Sequence, residues 1–176
     1  WRYILRLGNY YNEQNIALDK DKLKHLYGTK GYLDFSVAEV KQEPMDNGKW
    51  IKVTYVLEEG RPYKVGKVTV EGNVRFKSDE LLKLARTKAG DVYNVDREAA
   101  DTESMRGEYE RLGYMDLRFY PVHVKDGDNC IVDVNYKVRE GGVSNVRNIV
   151  ITGNETTKDE VIRRELVIAP GDLGDM

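Results

Sequence analysis

At 176 residues the chain has room for one ordinary domain or two small ones. Hydrophobic residues at 40% and charged residues at 33% describe a globular protein with a well-hydrated surface. A formal net charge of −2, with Lys and Arg interspersed among acids, makes no case for a nucleic-acid or anionic-membrane surface, and no run approaches the ~20 apolar residues of a spanning helix.

The chain opens Trp1-Arg2-Tyr3-Ile4-Leu5, with neither a starting Met nor a signal peptide, and reads as a piece of something longer. Trp1–Leu7 has the pattern of the end of a helix, and a second helix runs to Tyr27. Tyr27 places an aromatic one turn before the helix end, Gly31 supplies the left-handed residue that stops it, and Tyr32 folds back over the terminus. Phe35–Glu43 then reads as a strand closing at Pro44. Pro44-Met45-Asp46-Asn47-Gly48 is a turn, and Ile51–Leu57 is the return strand.

After the short linker Glu58–Pro62, Val65–Glu71 alternates as a half-buried strand with Val68 and Val70 on one face, and Gly72-Asn73 ends it. Ser78 is the expected N-cap of a helix with an apolar face of Leu81, Leu82, Leu84 and Ala85, ending at Gly90-Asp91. A second helix starts near Asp96, with Ala99, Thr102, Met105, Tyr109 and Leu112 inward, and Gly113 stops it before Tyr114. Leu117–Lys125 is a strand, Asp126-Gly127-Asp128-Asn129 a hairpin turn, and Ile131–Val138 the return strand. Beyond Glu140–Val143, Val146–Thr152 reads as another leading strand closed by Gly153-Asn154. Thr157–Ile168 reads as another helix, with Val161, Ile162, Leu166 and Val167 as its apolar face.

These elements recur. Gly31 maps to Gly113 at an offset of 82, which also carries Gly8 to Gly90, Tyr11 to Tyr93, Asn12 to Asn94 and Asp19 to Asp101. One residue is lost in the turn, and Val53/Val134, Tyr55/Tyr136, Gly60/Gly141 and Gly72-Asn73/Gly153-Asn154 match at 81. The chain is therefore a tandem array. Residues 63–141 form a complete strand–helix–helix–strand–strand unit. Residues 1–62 lack the leading strand, and 142–176 carry only a leading strand and first helix. The expected class is α+β, each complete unit a three-stranded mixed sheet with two helices on one face.

No constellation supports catalysis. His25 and His123 have no second His or Cys at metal-ligand spacing, and Cys130 has no partner base. Asp126-Gly127-Asp128-Asn129 lacks the bidentate Glu of a calcium loop. Gly171-Asp172-Leu173-Gly174 fits the G-x-x-G of a KH-like nucleic-acid loop, but carries an acid and no base for phosphate. Neither cofactor, metal nor nucleic acid is expected.

The repeated signature is similar to that of POTRA domains of the BamA family of outer-membrane β-barrel assembly factors. A strand ends in Gly72-Asn73 and again in Gly153-Asn154; Gly90-Asp91-Val92-Tyr93-Asn94 follows; Tyr27-x-x-x-Gly31-Tyr32 and Tyr109-x-x-x-Gly113-Tyr114 close the helices. The stretch Thr157–Leu166 is especially similar to that family. The resemblance implies a periplasmic array ahead of a C-terminal membrane β-barrel in the parent chain. Such an array receives unfolded outer-membrane proteins and docks accessory lipoproteins. A second reading within the same architecture is the POTRA region of a two-partner secretion transporter.

Pro121 carries no ladder donor, so its strand is expected at a sheet edge, and the equivalent strand before Pro44 likewise. An open edge offers backbone groups to any extended chain. The expected contact residues are Leu117, Arg118, Phe119, Tyr120, Val122 and Val124, with Phe35, Val37 and Val40 as a second site. The incomplete end units supply complementary parts, so exchange between two chains to give a domain-swapped dimer is a further expectation.

Overall fold

The computed structural model describes residues 13–46 and 49–173, which separate into two compact units. One comprises the chain up to Lys64 with Val92–Val95; the other comprises Val65–Asp91 with the chain from Asp96 onward. The expected helix at Trp1–Leu7 and the Asn47-Gly48 turn lie outside the described residues.

In the first unit α1 (Glu13–Gly28) precedes an antiparallel ribbon of β1 (Ser36–Met45) and β2 (Trp50–Glu58). Pro44 sits inside β1, opposite Ile51, rather than after it. The ribbon's register shifts between Val37 and Glu39, leaving Ala38 as an extra residue. Phe35, Tyr63 and Tyr93 are buried; Phe35 stacks on Tyr27 with ring centroids 4.0 Å apart. The Tyr63 amide donates to the Gly31 carbonyl at 2.9 Å, and Lys64 bridges to Val92.

The second unit is built on a three-stranded sheet of order β3-β5-β4, with β3 (Lys64–Glu71), β4 (Arg118–Asp126) and β5 (Ile131–Arg139). β4 and β5 are an antiparallel hairpin. β3 runs beside β5 in the same direction. Its Gly66–Lys67 end meets Ile131 and Asp133, while Glu71 pairs with Lys137 and Gly72 lies against Val138. A parallel neighbour requires a long crossover, which α2 (Ser78–Leu82) and α3 (Val95–Glu110) supply. Val132, Val134, Tyr136 and Val138 of β5 are buried in strict alternation and form the core with Val65, Val70, Leu81, Met105, Tyr109 and Phe119. Where the Asp133 carboxylate takes the Lys67 amide at 2.6 Å, burial along β3 changes phase between Val65 and Val70.

Several local expectations are corrected. Lys77, not Ser78, is the N-cap of α2, and the Glu80 carboxylate reaches back to the Lys77 amide at 3.1 Å. The Ser78 hydroxyl instead lies against Asn73. The helix ends at Leu82 rather than near Gly90, and Leu84 is at the surface. The cause is tertiary: the Arg86 and Thr87 amides donate to the Asp101 carboxylate at 2.8 and 2.9 Å instead of continuing the helical ladder. Along α3 the inward residues are Glu98, Asp101, Met105 and Tyr109, while Ala99 faces solvent.

Past β5, Val146–Thr152 is not a strand, since among the described residues no strand lies beside it to complete a ladder. The following helix, α4 (Asp159–Glu165), is shorter than Thr157–Ile168, and Val161 and Leu166 of its apolar face are exposed. The repeat is nonetheless visible in backbone geometry. The Val65 amide donates to the Asp91 carbonyl at 2.8 Å and the Gly90 amide to the Val65 carbonyl at 2.7 Å. Val146 repeats both bonds with Asp172 and Gly171, at 2.8 and 2.7 Å. No helix among the described residues is long and apolar enough to cross a membrane.

Candidate functional site

The entry to β4 is set by the end of α3. The Gly113 amide donates to the Glu110 carbonyl at 2.8 Å and the Tyr114 amide to the Tyr109 carbonyl at 3.3 Å, with Gly113 at φ +80°. Tyr114 then packs edge-on against Tyr109, ring centroids 5.7 Å apart. Tyr27, Gly31 and Tyr32 reproduce this: a Tyr32-to-Tyr27 backbone bond of 3.1 Å, Gly31 at φ +92°, and edge-on rings 5.5 Å apart. Gly72-Asn73 and Gly153-Asn154 are turn devices. The Asn73 side-chain amide donates to the Phe76 carbonyl at 2.8 Å, and that of Asn154 to the Thr157 carbonyl at 3.0 Å.

β4 occupies an edge of its sheet. Its far side has no partner strand among the described residues. Pro121 pairs across to Tyr136, and a proline is accommodated in such a strand when its missing N–H lies on the solvent side. The backbone groups on Pro121's side of the strand, those of Phe119 among them, therefore point away from β5. Leu117 precedes the strand, and Arg118 begins it. Phe119 is buried near Tyr109 and Tyr136, so its side chain belongs to the core. Tyr120 and Val124 are 51% and 62% exposed, with Val122 half-buried between them. In the first unit the Phe35 side chain is likewise in the core, and Val37 and Val40 are half-buried.

A polar cluster beneath the sheet escaped the sequence reading. The Glu98 carboxylate, nearly buried, lies 2.6 Å from His123 Nε2 on β4 and anchors that histidine. Asp101 is fully buried and tied to the backbone of residues 86 and 87. Burial, then the Asp101 and Glu98 carboxylates nearby, push the Tyr136 phenol well above its usual range. At the corresponding positions of the first unit the Tyr55 hydroxyl donates to Asp19 at 3.0 Å, whereas the buried Tyr136 hydroxyl lies near Asp101 with no hydrogen-bond partner among the described residues. Asp19/Asp101 and Tyr55/Tyr136 both recur in register, and pairing the two recurrences would have found this contact. Glu140 is another: its carboxylate accepts the Val74 and Arg75 amides at 2.6 and 2.7 Å.

His25 lines an open cleft of about 290 Å³ with Asp21, Lys24, Tyr32 and Tyr93. Among the described residues no group of three or more His, Cys, Asp or Glu side chains could hold a metal ion. Gly171 and Asp172 are engaged by Val146, and Gly174 lies outside the described residues. The Asp126–Asn129 segment closes on itself through Asn129-to-Asp126 hydrogen bonds at 3.2 and 2.8 Å, as a hairpin turn does.

A family model named POTRA, described as a surface antigen variable number repeat, matches residues 3–60 and 63–141. An outer membrane protein assembly factor BamA from Neorickettsia risticii is 30% identical over 176 residues, covering 97% of this chain and 23% of that protein. The protein of the same name from Neisseria meningitidis serogroup B is 29% identical over 167 residues, covering 94% and 21%. The chain thus spans less than a quarter of the length of these relatives. The crystal structure of POTRA domains 3–5 of BamA from Haemophilus influenzae superimposes with a TM-score of 0.77 over 96% of this chain and 66% of that one. At 21% identity this likeness concerns the fold.

Proposed function

The chain belongs to the POTRA family, and from that premise we propose that it is a periplasmic receiving array of an outer-membrane β-barrel assembly factor. In this reading residues 1–62, 63–141 and 142–176 are successive repeats, carried ahead of a membrane β-barrel in the parent chain. The array binds unfolded outer-membrane proteins by strand addition and docks accessory lipoproteins. The observation that carries the proposal is the open edge of β4, available along a strand that ends a three-stranded sheet.

Strand addition suits this task energetically. Four or five ladder bonds contribute about 0.5–1.5 kcal/mol each, and ordering an extended segment costs several kcal/mol in return. The remainder is weak binding with little demand on sequence, which lets a client be passed on. Pro121 removes one donor from the ladder and limits pairing between copies of the edge itself. β1 offers a second edge, shortened in effect by the irregularity at Ala38.

The test is titration of an extended barrel-strand peptide into isotope-labelled protein, followed by amide chemical shifts. Shifts along β4 and in its β5 neighbours are expected. Shifts confined to α1, α2 and α3 would reject the reading.

A further inference from the structure

The side chains of β4 fall into two rows. The inner row packs toward the helices, with Phe119 in the core and His123 bonded to Glu98. The outer row, on the open face of the sheet, is apolar through Tyr120, Val122 and Val124. Its cross-strand neighbours on β5 are Lys137, Asn135 and Asp133, so the apolar row has polar side chains on one side and the vacant strand position on the other.

The same positions in the first repeat are chemically opposite. Aligning Tyr55 with Tyr136 puts Val40 at the place of Pro121, and Glu39, Lys41 and Glu43 at the places of Tyr120, Val122 and Val124. Those charges pair among themselves and with β2, Lys41 to Glu39 at 3.3 Å and Lys52 to Glu43 at 2.9 Å. Charged side chains and an irregular register are the means by which an edge strand resists pairing.

We propose that β4 selects extended strands whose apolar side chains recur at every second position, seating that row beside Tyr120, Val122 and Val124, and that β1 is guarded against them. The proposal rests on the strand-addition reading above and adds selection by side chain to it. An added strand continues the pleat, so alternate side chains fall on the open face and the others over the helix side. A strictly alternating strand places all its apolar groups in contact with the β4 row, each contact adding a favourable cross-strand pair. A strand of equal composition with its apolar residues grouped puts half of them on the wrong face, and slipping by one residue cannot correct this. Walls of membrane β-barrels are built from such alternating segments.

The experiment uses two peptides of about ten residues with equal numbers of Val and Thr between terminal lysines, one alternating and one with the Val residues grouped. Each is titrated into the labelled chain and into a variant carrying Tyr120→Glu, Val122→Lys and Val124→Glu, which gives β4 the row of β1. Val124→Thr, which keeps strand propensity, guards against misfolding of the triple variant. The expected result is roughly tenfold tighter binding of the alternating peptide by the unaltered chain, corresponding to a few favourable cross-strand pairs. That preference should shrink in Val124→Thr and vanish in the triple variant. Equal affinity of the two peptides for the unaltered chain, with shifts still on β4, overturns side-chain selection and leaves strand addition standing. Shifts on β1 as large as those on β4 overturn the guarded role of β1. Absence of β4 shifts with either peptide at millimolar concentration refutes strand addition itself.

Discussion

Asp101→Ala should destabilise the second unit more than any single helix-surface change. The Asp101 carboxylate is 1% exposed and accepts the Arg86 and Thr87 amides at 2.8 and 2.9 Å. Hydrogen bonds to a charged group contribute about 1.5–3 kcal/mol each, and truncating the acceptor strands two donors next to the core, so the expected loss is about 3–5 kcal/mol. The first repeat holds an internal control. Asp19, at the corresponding position, accepts the Tyr55 hydroxyl at 3.0 Å in an exposed setting, and Asp19→Ala should cost no more than about 1 kcal/mol. Urea unfolding followed by resolved amide signals in each unit would report the two losses separately, with the denaturant slope unchanged. Amide exchange at Arg86 and Thr87 should accelerate in Asp101→Ala and stay unchanged in Asp19→Ala. Equal midpoint shifts for the two variants would refute the argument that Asp101 replaces the helical ladder beyond Leu82.

Gly72 and Gly90 share positive φ, +86° and +91°, yet a Cβ on Gly72 would collide with the Val138 carbonyl oxygen while one on Gly90 meets nothing among the described residues within 4 Å. Gly90→Ala should therefore cost about 1–2 kcal/mol of backbone strain, and Gly72→Ala roughly 1–3 kcal/mol more, measured by thermal or urea unfolding. The raised phenols of Tyr136 and Tyr109 owe their shift first to burial. Below about pH 10 both states hold these protons, so the stability they contribute is complete there. As pH rises further, the unfolded state ionises first and about 1.4 kcal/mol is lost per pH unit for each tyrosine. Unfolding midpoints measured at increasing alkaline pH should fall accordingly, with a shallower fall in Tyr136→Phe. Pro121→Val restores a backbone donor on the open side of β4 and should tighten binding of an extended peptide several-fold in the same titration. Unchanged or weakened binding would place the proline's nitrogen toward β5.

Regular features of this fold were legible because they are written in periodicities and in Gly and Pro. The alternation of Val132, Val134, Tyr136 and Val138 marks a strand with one buried face. Gly31 and Gly113 mark the helix ends, and Pro121 marks the edge. What escaped notice depends on partners distant in sequence. A helix read by its apolar spacing turns acids outward and Ala99 inward, whereas His123 and the 86–87 backbone reward burying Glu98 and Asp101. The early end of α2 has the same origin, since nothing within residues 78–90 breaks the helical pattern at Leu82. Val146–Thr152 has a strand's composition but no neighbouring strand among the described residues, and a ladder needs two sides. The contrast between the β1 and β4 edges needed the strand register, because the shift at Ala38 hides which residues of the two repeats share a row.

The central claim, that the open side of β4 receives extended chains through its backbone, is tested most directly by amide hydrogen exchange of β4 with and without a saturating barrel-strand peptide. The account predicts slowed exchange on Pro121's side of the strand, Phe119 included, with the alternate amides already protected by β5 unaffected. Protection that appears only in the helices, or not at all while the peptide is bound, would contradict it.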